Sequence, residues 1–321
     1  MMVVKNKTIL YIGNNLGKST KYATTLDTLS DLLTIEGYDI IKSSDNQNKF
    51  LRLFEMCIAV IKNRNKVAYI LIDTFSTANF YYAFLTSQLA RVFKLKYVPI
   101  LHGGNLPSRL DGSKKLAAMV FNNSYLNVAP SNYLRSAFEQ RGYRTLFIPN
   151  ILEIEKYTFK QRVSLSPKLL WVRAFKELYN PKMAIEVLQI VMKTYPDAKL
   201  CMVGPIVDRS YEETVRFVHA HNLDKHVEFT GVLSKEDWIK KSDDYDLFIN
   251  TTNFDNTPVS VMEAMALGLR VVSTNAGGMP YLIEHGKEGI LVEKGAADQM
   301  AQEIIKVIDT NRQDLAQNAR K

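Results

Sequence analysis

Two carboxylates flank a predicted helix start in the segment FDNTPVSVMEAMALG. Asp255 lies in the loop before the helix. Glu263 lies about two turns inside it, among Val, Met and Ala neighbours. An unpaired carboxylate in such apolar surroundings would cost several kcal/mol, so Glu263 needs partners. A pair of ligand hydroxyls would supply them, and so would a structural salt bridge. The segment therefore predicts a site for a polar ligand, with a purely structural alternative.

The start of this helix is itself a predicted anion site. Thr257 is a favoured N-cap residue and Pro258 a favoured first helical residue, while Gly268 would end the helix. The backbone N–H groups of Val259 and Ser260 then point out of the helix, at the positive end of its dipole. Such N–H groups bind anions, so this helix end suits a diphosphate.

Cationic side chains follow another predicted strand. Arg173 comes directly after the apolar run at 168–172, and Lys176 and Lys182 follow it closely. The planar guanidinium of an arginine fits phosphate oxygens in a bidentate manner. The alternative is a surface arginine that pairs with Glu177. Arg173 therefore predicts a phosphate contact, unless Glu177 neutralises it.

A histidine and two glycines, His102-Gly103-Gly104, follow the predicted strand at 96–101. Glycines at such a turn allow a ligand to approach the backbone closely. The imidazole would then hydrogen-bond a substrate hydroxyl or phosphate. The alternative is a histidine that packs within its own loop. His102 is therefore a candidate for substrate contact.

Two further motifs carry less weight. The segment GNNLGKS at 13–19 follows the first strand, but three residues separate its glycines where a phosphate-binding P-loop needs four. We interpret it as a turn in which Lys18 adds positive charge. Asp244-Tyr245-Asp246 has the Asp-x-Asp form of a metal site, yet it runs directly into a strand, so we favour a structural interpretation. The five histidines lack metal-ligand spacing, and no metal is expected.

Short apolar runs alternate with longer amphipathic stretches along the chain. The predicted strands lie at 8–12, 67–73, 96–101, 125–129, 146–148, 168–172, 198–203, 227–229, 246–250 and 270–273. The predicted helices lie at 22–35, 79–93, 182–193, 211–221, 258–267 and from about 298 onward. We predict an α/β protein of two tandem Rossmann-like, doubly wound parallel-sheet domains, residues 1–152 and 153–321. Ligands would bind at the carboxyl ends of the strands, in an interdomain cleft.

Composition places the chain among ordinary globular proteins. Hydrophobic residues make up 46% and charged residues 23% of the 321 positions, which suits one core per domain. No apolar run is long enough to span a membrane, and the start MMVVKNKTILYIG lacks the features of a secretory signal. Cys57 and Cys201 form no metal or disulfide pattern and fit a reducing cytosol. The expected localisation is therefore cytoplasmic.

From Asp255 onward, a longer pattern resembles a known family. An acidic residue, seven intervening residues, a glutamate and Ala-Met-Ala-x-Gly are followed by a strand and by Gly-Gly-x-Pro at 277–280. This pattern resembles the group 1 retaining glycosyltransferases of GT-B fold, in their bacterial form. The resemblance covers nearly the whole chain, including APS at 129–131, IPN at 148–150, VGP at 203–205 and FTG at 229–231.

The resemblance implies a role for each matching residue. Asp255 would be catalytic, because it would contact the transferred sugar and stabilise charge at its anomeric carbon. His102 would contact the sugar or the acceptor, and Glu263 would bind the ribose hydroxyls of the donor. The other donor-binding residues would be Arg173, Lys182, Lys176, Gly204, Gly231, Val232, Thr257, Pro258, Val259 and Ser260. The acceptor side would include Gly13, Asn14, Lys18, Gly103 and Gly104.

Some positions depart from the family pattern. Asp255 replaces the usual glutamate, so its carboxylate reaches less far. Leu178 stands where the family has a lysine, so Lys176 or Lys182 would serve instead, and we prefer Lys182. Other replacements are Arg270 for a usual proline and Tyr281 for a frequent acid. The chain also ends without the aromatic-rich last helix, so we expect the second domain to lack the helix that crosses back.

The resemblance implies a metal-independent, cofactor-free retaining glycosyltransferase. It would move a sugar from a nucleoside diphosphate sugar to a hydroxyl acceptor, either lipid-linked or part of a cell-surface glycan precursor. The shorter side chain of Asp255 and the missing last helix leave an alternative. This alternative is a protein of the same fold that binds a nucleotide sugar but has lost the ability to transfer the sugar. Nucleic acid is not an expected partner, because no stacking motif with interleaved basic residues is present.

Charge is unevenly distributed along the chain. Residues 1–160 contain 21 Lys and Arg against 11 Asp and Glu, a net charge of +10. Residues 161–321 contain 20 against 22, a net charge of −2. The surplus of the first half exceeds what one diphosphate requires. It predicts an anionic acceptor, or peripheral contact with the anionic inner face of a membrane.

Overall fold

The computed structural model describes residues 7–15, 25–150 and 152–321. The chain divides into two compact units, Met1–Pro149 and Asn150–Lys321. Within the described residues each unit contains one parallel sheet of six strands with helices on both faces, so the predicted α/β class is confirmed. In those same ranges, no helix is long and apolar enough to cross a bilayer.

In the first unit, strands and helices alternate along the described chain. They are β1 (Thr8–Ile12), α1 (Thr25–Ile35), β2 (Asp39–Ser43), α2 (Lys49–Asn63), β3 (Tyr69–Thr74), α3 (Phe80–Val92), β4 (Tyr97–Leu101), α4 (Leu106–Gly112), α5 (Lys114–Phe121), β5 (Asn127–Ala129), α6 (Asn132–Glu139) and β6 (Thr145–Phe147). The strands pair in the order β2-β1-β3-β4-β5-β6. The order reverses between β1 and β3, which makes their carboxyl ends the switch point where such sheets bind ligands.

The first sheet is covered on both faces because successive strand residues point to opposite sides. Leu10 of β1 packs in one cluster with Met56 of α2 and Ala83 of α3. Its neighbour Tyr11 packs in another cluster with Leu26 of α1. Helices α2 and α3 therefore cover one face of this sheet, and α1 covers the other.

The second unit repeats the alternation. Its elements are β7 (Lys168–Val172), α7 (Pro181–Met192), β8 (Lys199–Val203), α8 (Ser210–Ala220), β9 (Val227–Gly231), α9 (Lys235–Lys241), β10 (Leu247–Asn250), α10 (Val259–Ala266), β11 (Arg270–Thr274), α11 (Met279–Leu282), β12 (Ile290–Val292), α12 (Ala297–Thr310) and α13 (Gln313–Arg320). The strand order is β12-β11-β10-β7-β8-β9. Here the reversal lies between β7 and β10, so residues after these strands meet at the switch point.

The stretch before β7 packs on the second unit through Arg162. This buried side chain donates hydrogen bonds to the carbonyl groups of Tyr245, Leu267 and Ser242. Burial lowers the pKa of Arg162 to about 10. Arg270 is buried too, and it donates a 2.9 Å hydrogen bond to the Arg162 carbonyl. The arginine at position 270 therefore serves to anchor this stretch.

The hydrophobic pattern of the sequence did not predict several of these strands and helices. β2 is a half-exposed edge strand and β12 has three residues, so neither shows a long apolar run. Also missed are α2, α4, α5, α6, α9, α11 and α13. α2 carries apolar residues on more than one face, and this obscures the pattern of a surface helix. Conversely, the strands predicted at 8–12 and 168–172 have the predicted bounds.

Candidate active site

The loops after β7 and β10, on the two sides of the switch point, are joined by hydrogen bonds. The backbone N–H of Asn253 donates to the carbonyl of Leu178 over 2.8 Å. The Thr251 hydroxyl accepts a 3.0 Å hydrogen bond from the indole of buried Trp171 and lies 2.9 Å from the Asn180 carbonyl oxygen. Because these bonds fix the two loops, the side chains that follow each strand lie side by side.

Arg173 and Asp255 form an ion pair across this switch point. The guanidinium also lies over Tyr179, with Cζ 4.2 Å from the ring centroid. Burial lowers the pKa of Arg173 from its ordinary value. Its Nε has no hydrogen-bond partner among the residues that the structure describes. The pairing with Glu177 that the sequence left open is not formed in this part of the chain.

Two glycines of the loop after β11 fix the backbone around Asp255. The Asp255 carbonyl accepts a 2.9 Å hydrogen bond from Gly278 N–H, and its Oδ1 accepts one of 2.7 Å from Asn256 N–H. A Cβ at Gly277 would lie 2.0 Å from the Asp255 carbonyl oxygen, and one at Gly278 would lie 1.5 Å from that of Asn256. Backbone thus packs on backbone, which only glycine permits.

Helix α10 begins one residue later than predicted. Pro258 occupies the N-cap position with φ −70° and ψ 116°, and no side chain caps the helix. The predicted N-cap role of Thr257 and the first-turn role of Pro258 are therefore wrong, because each stands one position too early. The N–H groups of Val259 and Ser260, which the sequence singled out, still have no acceptor within the helix. Ser260 Oγ is buried without a partner among the described residues.

Glu263 is buried in α10 and has two partners. Its Oε1 accepts a 2.8 Å hydrogen bond from the Tyr157 hydroxyl and pairs with Lys235 Nζ. Burial, with the Glu263 hydrogen bond, raises the pKa of Tyr157 far above its ordinary value, so its hydroxyl stays protonated and donates. The structural salt bridge left open by the sequence is therefore present. Ribose binding by Glu263 stays a prediction. It would require the half-exposed Lys235 to move away from the Glu263 carboxylate.

Glycines line the neighbouring strand ends. Gly204 N–H donates to the Gly231 carbonyl over 2.8 Å, and Arg173 N–H donates to the Val203 carbonyl over 2.9 Å. A Cβ at Gly204 would lie 1.8 Å from the Arg173 carbonyl oxygen. Gly231 has φ +67° with open space beside it, and the adjacent Val232 is exposed. The structure therefore brings Arg173, Gly204 and Gly231 together at the ends of β7, β8 and β9.

The two lysines predicted beside the arginine have other surroundings. Lys182 Nζ lies 3.2 Å from Glu186 and 4.8 Å from the Phe217 ring centroid. The preference for Lys182 stays a prediction, and in this structure its ammonium lies near a glutamate one turn along α7 and a ring of α8. Lys176 is exposed, in extended backbone. Lys235, which the sequence did not single out, pairs with the candidate residue Glu263.

In the first unit, His102 belongs to a buried network at the carboxyl ends of β1, β3 and β4. Asp73 Oδ1 lies 2.8 Å from His102 Nε2 and accepts a 3.0 Å hydrogen bond from the Tyr11 hydroxyl. The imidazole also stacks on Phe75, with ring centroids 5.0 Å apart. Burial and the Asp73 carboxylate raise the pKa of Tyr11 far above its ordinary value. With Nε2–H donated to Asp73, Nδ1 is the nitrogen left for a ligand.

Gly13 lies against the same carboxylate, because a Cβ there would stand 2.4 Å from Asp73 Oδ2. The side chain of Asn14 is turned to α2, where its Oδ1 accepts a 2.7 Å hydrogen bond from Arg52. Gly13 therefore belongs to the network around His102. Lys18 lies outside the described residues.

The two glycines after His102 differ in their surroundings. Gly103 has φ +80°, and open space stands where a side chain would project. The Gly104 carbonyl accepts a long 3.4 Å hydrogen bond from the Tyr133 hydroxyl. Only Gly103 has the conformation that requires glycine, and it leaves the backbone beside His102 open to approach.

The Asp-x-Asp motif has a structural role. Asp246 Oδ2 accepts hydrogen bonds of 2.9 and 2.7 Å from the N–H and hydroxyl of Ser166, and Oδ1 lies 3.5 Å from Arg162. Asp244 ends a short 3₁₀ helix. Across the described ranges, no group of three His, Cys, Asp or Glu side chains is placed to hold a metal ion. Metal independence of the reaction stays a prediction.

Sequence reasoning missed the partners of the candidate residues. These are Tyr11 and Asp73 for His102, Tyr179 for Arg173, and Tyr157 and Lys235 for Glu263. Asp73 carried a readable signal, because it is a carboxylate within a buried strand. Tyr157 carried none, since it lies 106 positions from its partner.

The second unit of the chain matches a known sequence family. Residues 154–321 match the sequence family described as glycosyl transferases group 1. Amylovoran biosynthesis glycosyltransferase AmsK of Erwinia amylovora is 27% identical over 235 residues, which are 66% of this chain and 54% of that protein. N-acetyl-alpha-D-glucosaminyl L-malate synthase of Bacillus anthracis is 24% identical over 70% of this chain and 61% of its own length. The chain thus spans just over half the length of these curated relatives.

Solved structures share the fold of the whole chain. The crystal structure of Anabaena Alr3699/HepE in complex with UDP-glucose has a TM-score of 0.74 at 17% identity, and the match covers 98% of this chain and 93% of the other. Sucrose-phosphate synthase from Thermosynechococcus elongatus has a TM-score of 0.77 at 14% identity over the same shares. The predicted GT-B fold is confirmed by these likenesses.

Proposed function

Because the chain belongs to the group 1 glycosyl transferases, we propose that it moves a sugar from a nucleoside diphosphate sugar to an acceptor hydroxyl. The transfer would retain the anomeric configuration and need no metal ion. One observation carries the proposal, the Arg173–Asp255 ion pair beside the start of α10 at the switch point of the second sheet. A guanidinium and outward N–H groups suit a diphosphate, and a carboxylate suits the sugar attached to it.

The diphosphate and the ribose of the donor each have candidate partners. Arg173 and the N–H groups of Val259 and Ser260 would bind the diphosphate, and Glu263 would bind the ribose after exchanging Lys235 for the ribose hydroxyls. The crystal structures of the Anabaena relative in complex with UDP and with UDP-glucose support a UDP-sugar as donor.

The same groups account for rate. As the bond between the anomeric carbon and the phosphate breaks, negative charge grows on the leaving diphosphate and positive charge on the sugar ring. Arg173 and the helix N–H groups would stabilise the first, and Asp255 the second. His102, oriented by Asp73, would hydrogen-bond the sugar or the acceptor through Nδ1. This arrangement of cation and N–H groups is the support for metal independence.

The acceptor and the location are also part of the proposal. The relative named for amylovoran biosynthesis supports a glycan precursor, lipid-linked or destined for the cell surface. The net charge of +10 over residues 1–160 supports cytoplasmic action in peripheral contact with an anionic membrane.

A panel of UDP-, GDP- and ADP-sugars tests donor binding. A donor at a concentration 100-fold above its dissociation constant should raise the free energy of unfolding by about 2.7 kcal/mol. For the preferred donor, release of the nucleoside diphosphate should continue in EDTA, and NMR of the product should show the anomeric configuration of the donor. A folded protein that binds none of these sugars would contradict the proposal.

A second outcome identifies the alternative. Donor binding without any release or transfer, at every acceptor tried, would assign the chain to the nucleotide-sugar-binding proteins without turnover. Release of UDP that Asp255→Ala abolishes would reject that alternative.

A further inference from the structure

Helix α2 exposes an apolar stripe on the side opposite its core contacts. Met56 and Val60 are buried in the core of the first unit. The outward stripe recurs at helical spacing and consists of Phe50, Phe54, Cys57, Ile58 and Ile61. The exposed fractions of Phe50 and Phe54 are 85% and 63%. A solvated helix face normally carries polar side chains, so this stripe needs another explanation.

Helix α3 continues the same surface. Its exposed apolar residues are Tyr81, Leu85 and Val92, again at helical spacing. The two helices lie on one face of the sheet, and the Tyr82 hydroxyl of α3 donates to the Lys49 carbonyl of α2. Both stripes therefore lie on the outside of one helical layer. We call Phe50, Phe54, Ile61, Tyr81, Leu85 and Val92 the α2–α3 surface.

The chain around this surface is strongly basic. Residues 46–110 contain nine Lys and Arg, and their acids are Glu55 and Asp73. Asp73 is buried in the network with His102. The Glu55 carboxylate accepts hydrogen bonds from Ser44 and Asn46, and these bonds lower its pKa. Lys62 and Lys66 stand exposed at the end of α2. Arg52 is buried and donates hydrogen bonds to Asn46 and Asn14, so it adds no surface charge. The apolar stripe of α2 is thus followed by exposed lysines, with Glu55 as the one acid on that helix.

A helix layer with aromatic residues outward and basic residues beside them matches helices that lie in a membrane interface. Cations near an anionic surface each add attraction that salt weakens. We infer that the α2–α3 surface docks on an anionic lipid surface, with Phe50 and Phe54 entering the boundary of the acyl chains. The inference rests on the proposed membrane contact and assigns it to named residues.

Vesicle sedimentation with the full chain tests this docking. At low salt the protein should bind vesicles of equal parts phosphatidylglycerol and phosphatidylcholine, and not vesicles of phosphatidylcholine alone. The double variant Phe50→Ser and Phe54→Ser should weaken vesicle binding about tenfold or more, because two aromatic rings are no longer transferred from water into the membrane. Ile35→Ser is the matched control, since Ile35 is 80% exposed on α1, at the other face of the sheet. It should bind as the unchanged protein does.

Thiol labelling gives a second readout without substitution. Cys57 lies in the stripe and is partly exposed, whereas Cys201 is buried with its pKa raised to about 11. Anionic vesicles should slow the labelling of Cys57 severalfold, and phosphatidylcholine vesicles should not. Failure of the unchanged protein to bind anionic vesicles, or equal binding by the double variant, would overturn the inference.

Two further measurements separate other outcomes. If the unchanged protein is a dimer, and the double variant is monomeric but still binds vesicles, a second copy of the chain covers the α2–α3 surface. The lipid inference would then fail. Calorimetry with UDP-sugars in the same preparations separates this inference from the proposed function. Donor binding without vesicle binding would defeat the inference and the proposed membrane contact but leave the proposed sugar transfer standing. Vesicle binding without any donor binding would defeat the proposed sugar transfer alone.

Discussion

Arg173 and Asp255 neutralise each other across the carboxyl ends of β7 and β10. The residue proposed for the diphosphate and the residue proposed for the sugar are thus each other's partners. Donor binding would replace the carboxylate with phosphate oxygens at the guanidinium. The carboxylate would then become available to the sugar ring. The ion pair therefore compensates the charge of the buried guanidinium within the protein.

Asp255→Asn is expected to separate binding from turnover. Turnover should fall about 100-fold or more, because the charge that stabilises the sugar in the transition state is lost. UDP should bind as well as before or more tightly, since the competing carboxylate is gone. Calorimetry and steady-state kinetics measure both. Asp244→Asn, an exposed acid of the same unit, should change neither, and weaker UDP binding in Asp255→Asn would contradict the ion-pair interpretation.

Arg173→Ala is expected to weaken UDP binding about 10- to 100-fold, the effect of losing a charged hydrogen bond. Binding of uridine, which lacks phosphate, should change little. Lys182→Ala provides the control, because Lys182 lies with Glu186 and Phe217. It should leave UDP affinity within about twofold, as for an exposed ion pair. An equal loss in both variants would support Lys182 as the donor lysine.

Lys235→Ala tests whether Lys235 and ribose compete for Glu263. Removing the ammonium should leave UDP binding equal or stronger, whereas Glu263→Gln should weaken it and reduce the preference for UDP over its deoxyribose analogue. Lys240→Ala is the control on the same helix, since that lysine is exposed. If Lys235→Ala weakens UDP binding, Lys235 contacts the donor directly.

Asp73→Asn is expected to lower turnover about tenfold or more with little change in UDP affinity. An amide can donate to an unprotonated Nε2 or accept from a protonated one. The variant would therefore no longer fix the single His102 tautomer that leaves Nδ1 as the acceptor. Tyr11→Phe should have a smaller effect, because the contact between Asp73 and His102 remains. Comparison of kcat and KM for donor and acceptor reveals which of them His102 orients. Unchanged kinetics would show that the network of Tyr11, Asp73 and His102 only stabilises the fold and does not contribute to turnover.

Gly278→Ala is expected to lower the free energy of unfolding by about 1–3 kcal/mol, since its Cβ would overlap the Asn256 carbonyl oxygen. It should also reduce turnover by displacing Asp255. Gly112→Ala is the control, because nothing lies within 4 Å of a Cβ there. Thermal unfolding and kinetics of both variants check this. A fully active Gly278→Ala would show that the loop shifts without moving the carboxylate.

The sequence predicted those features that local patterns encode. The central strands are near-continuous apolar runs, so the parallel sheets and the candidate loops after β7 and β10 followed from them. The Gly-Gly-x-Pro motif was visible, yet its contact with the Asp255 backbone was not, because backbone packing leaves no spacing signal. The same applies to Tyr157 and Glu263, which meet only after the chain folds. The position of the N-cap shifted because proline and threonine both favour helix starts, and spacing cannot rank them.

The backbone contact between Gly277, Gly278 and the Asp255 loop bears on how such a sequence can diverge. Main-chain atoms, not side chains, set the distance between these loops. Substitutions at the surrounding positions can therefore accumulate without displacing the carboxylate, as long as the two glycines persist. Such a site tolerates substitution of the side chains that line it. Exchange of those side chains would therefore give a new sugar preference while Asp255 keeps its position.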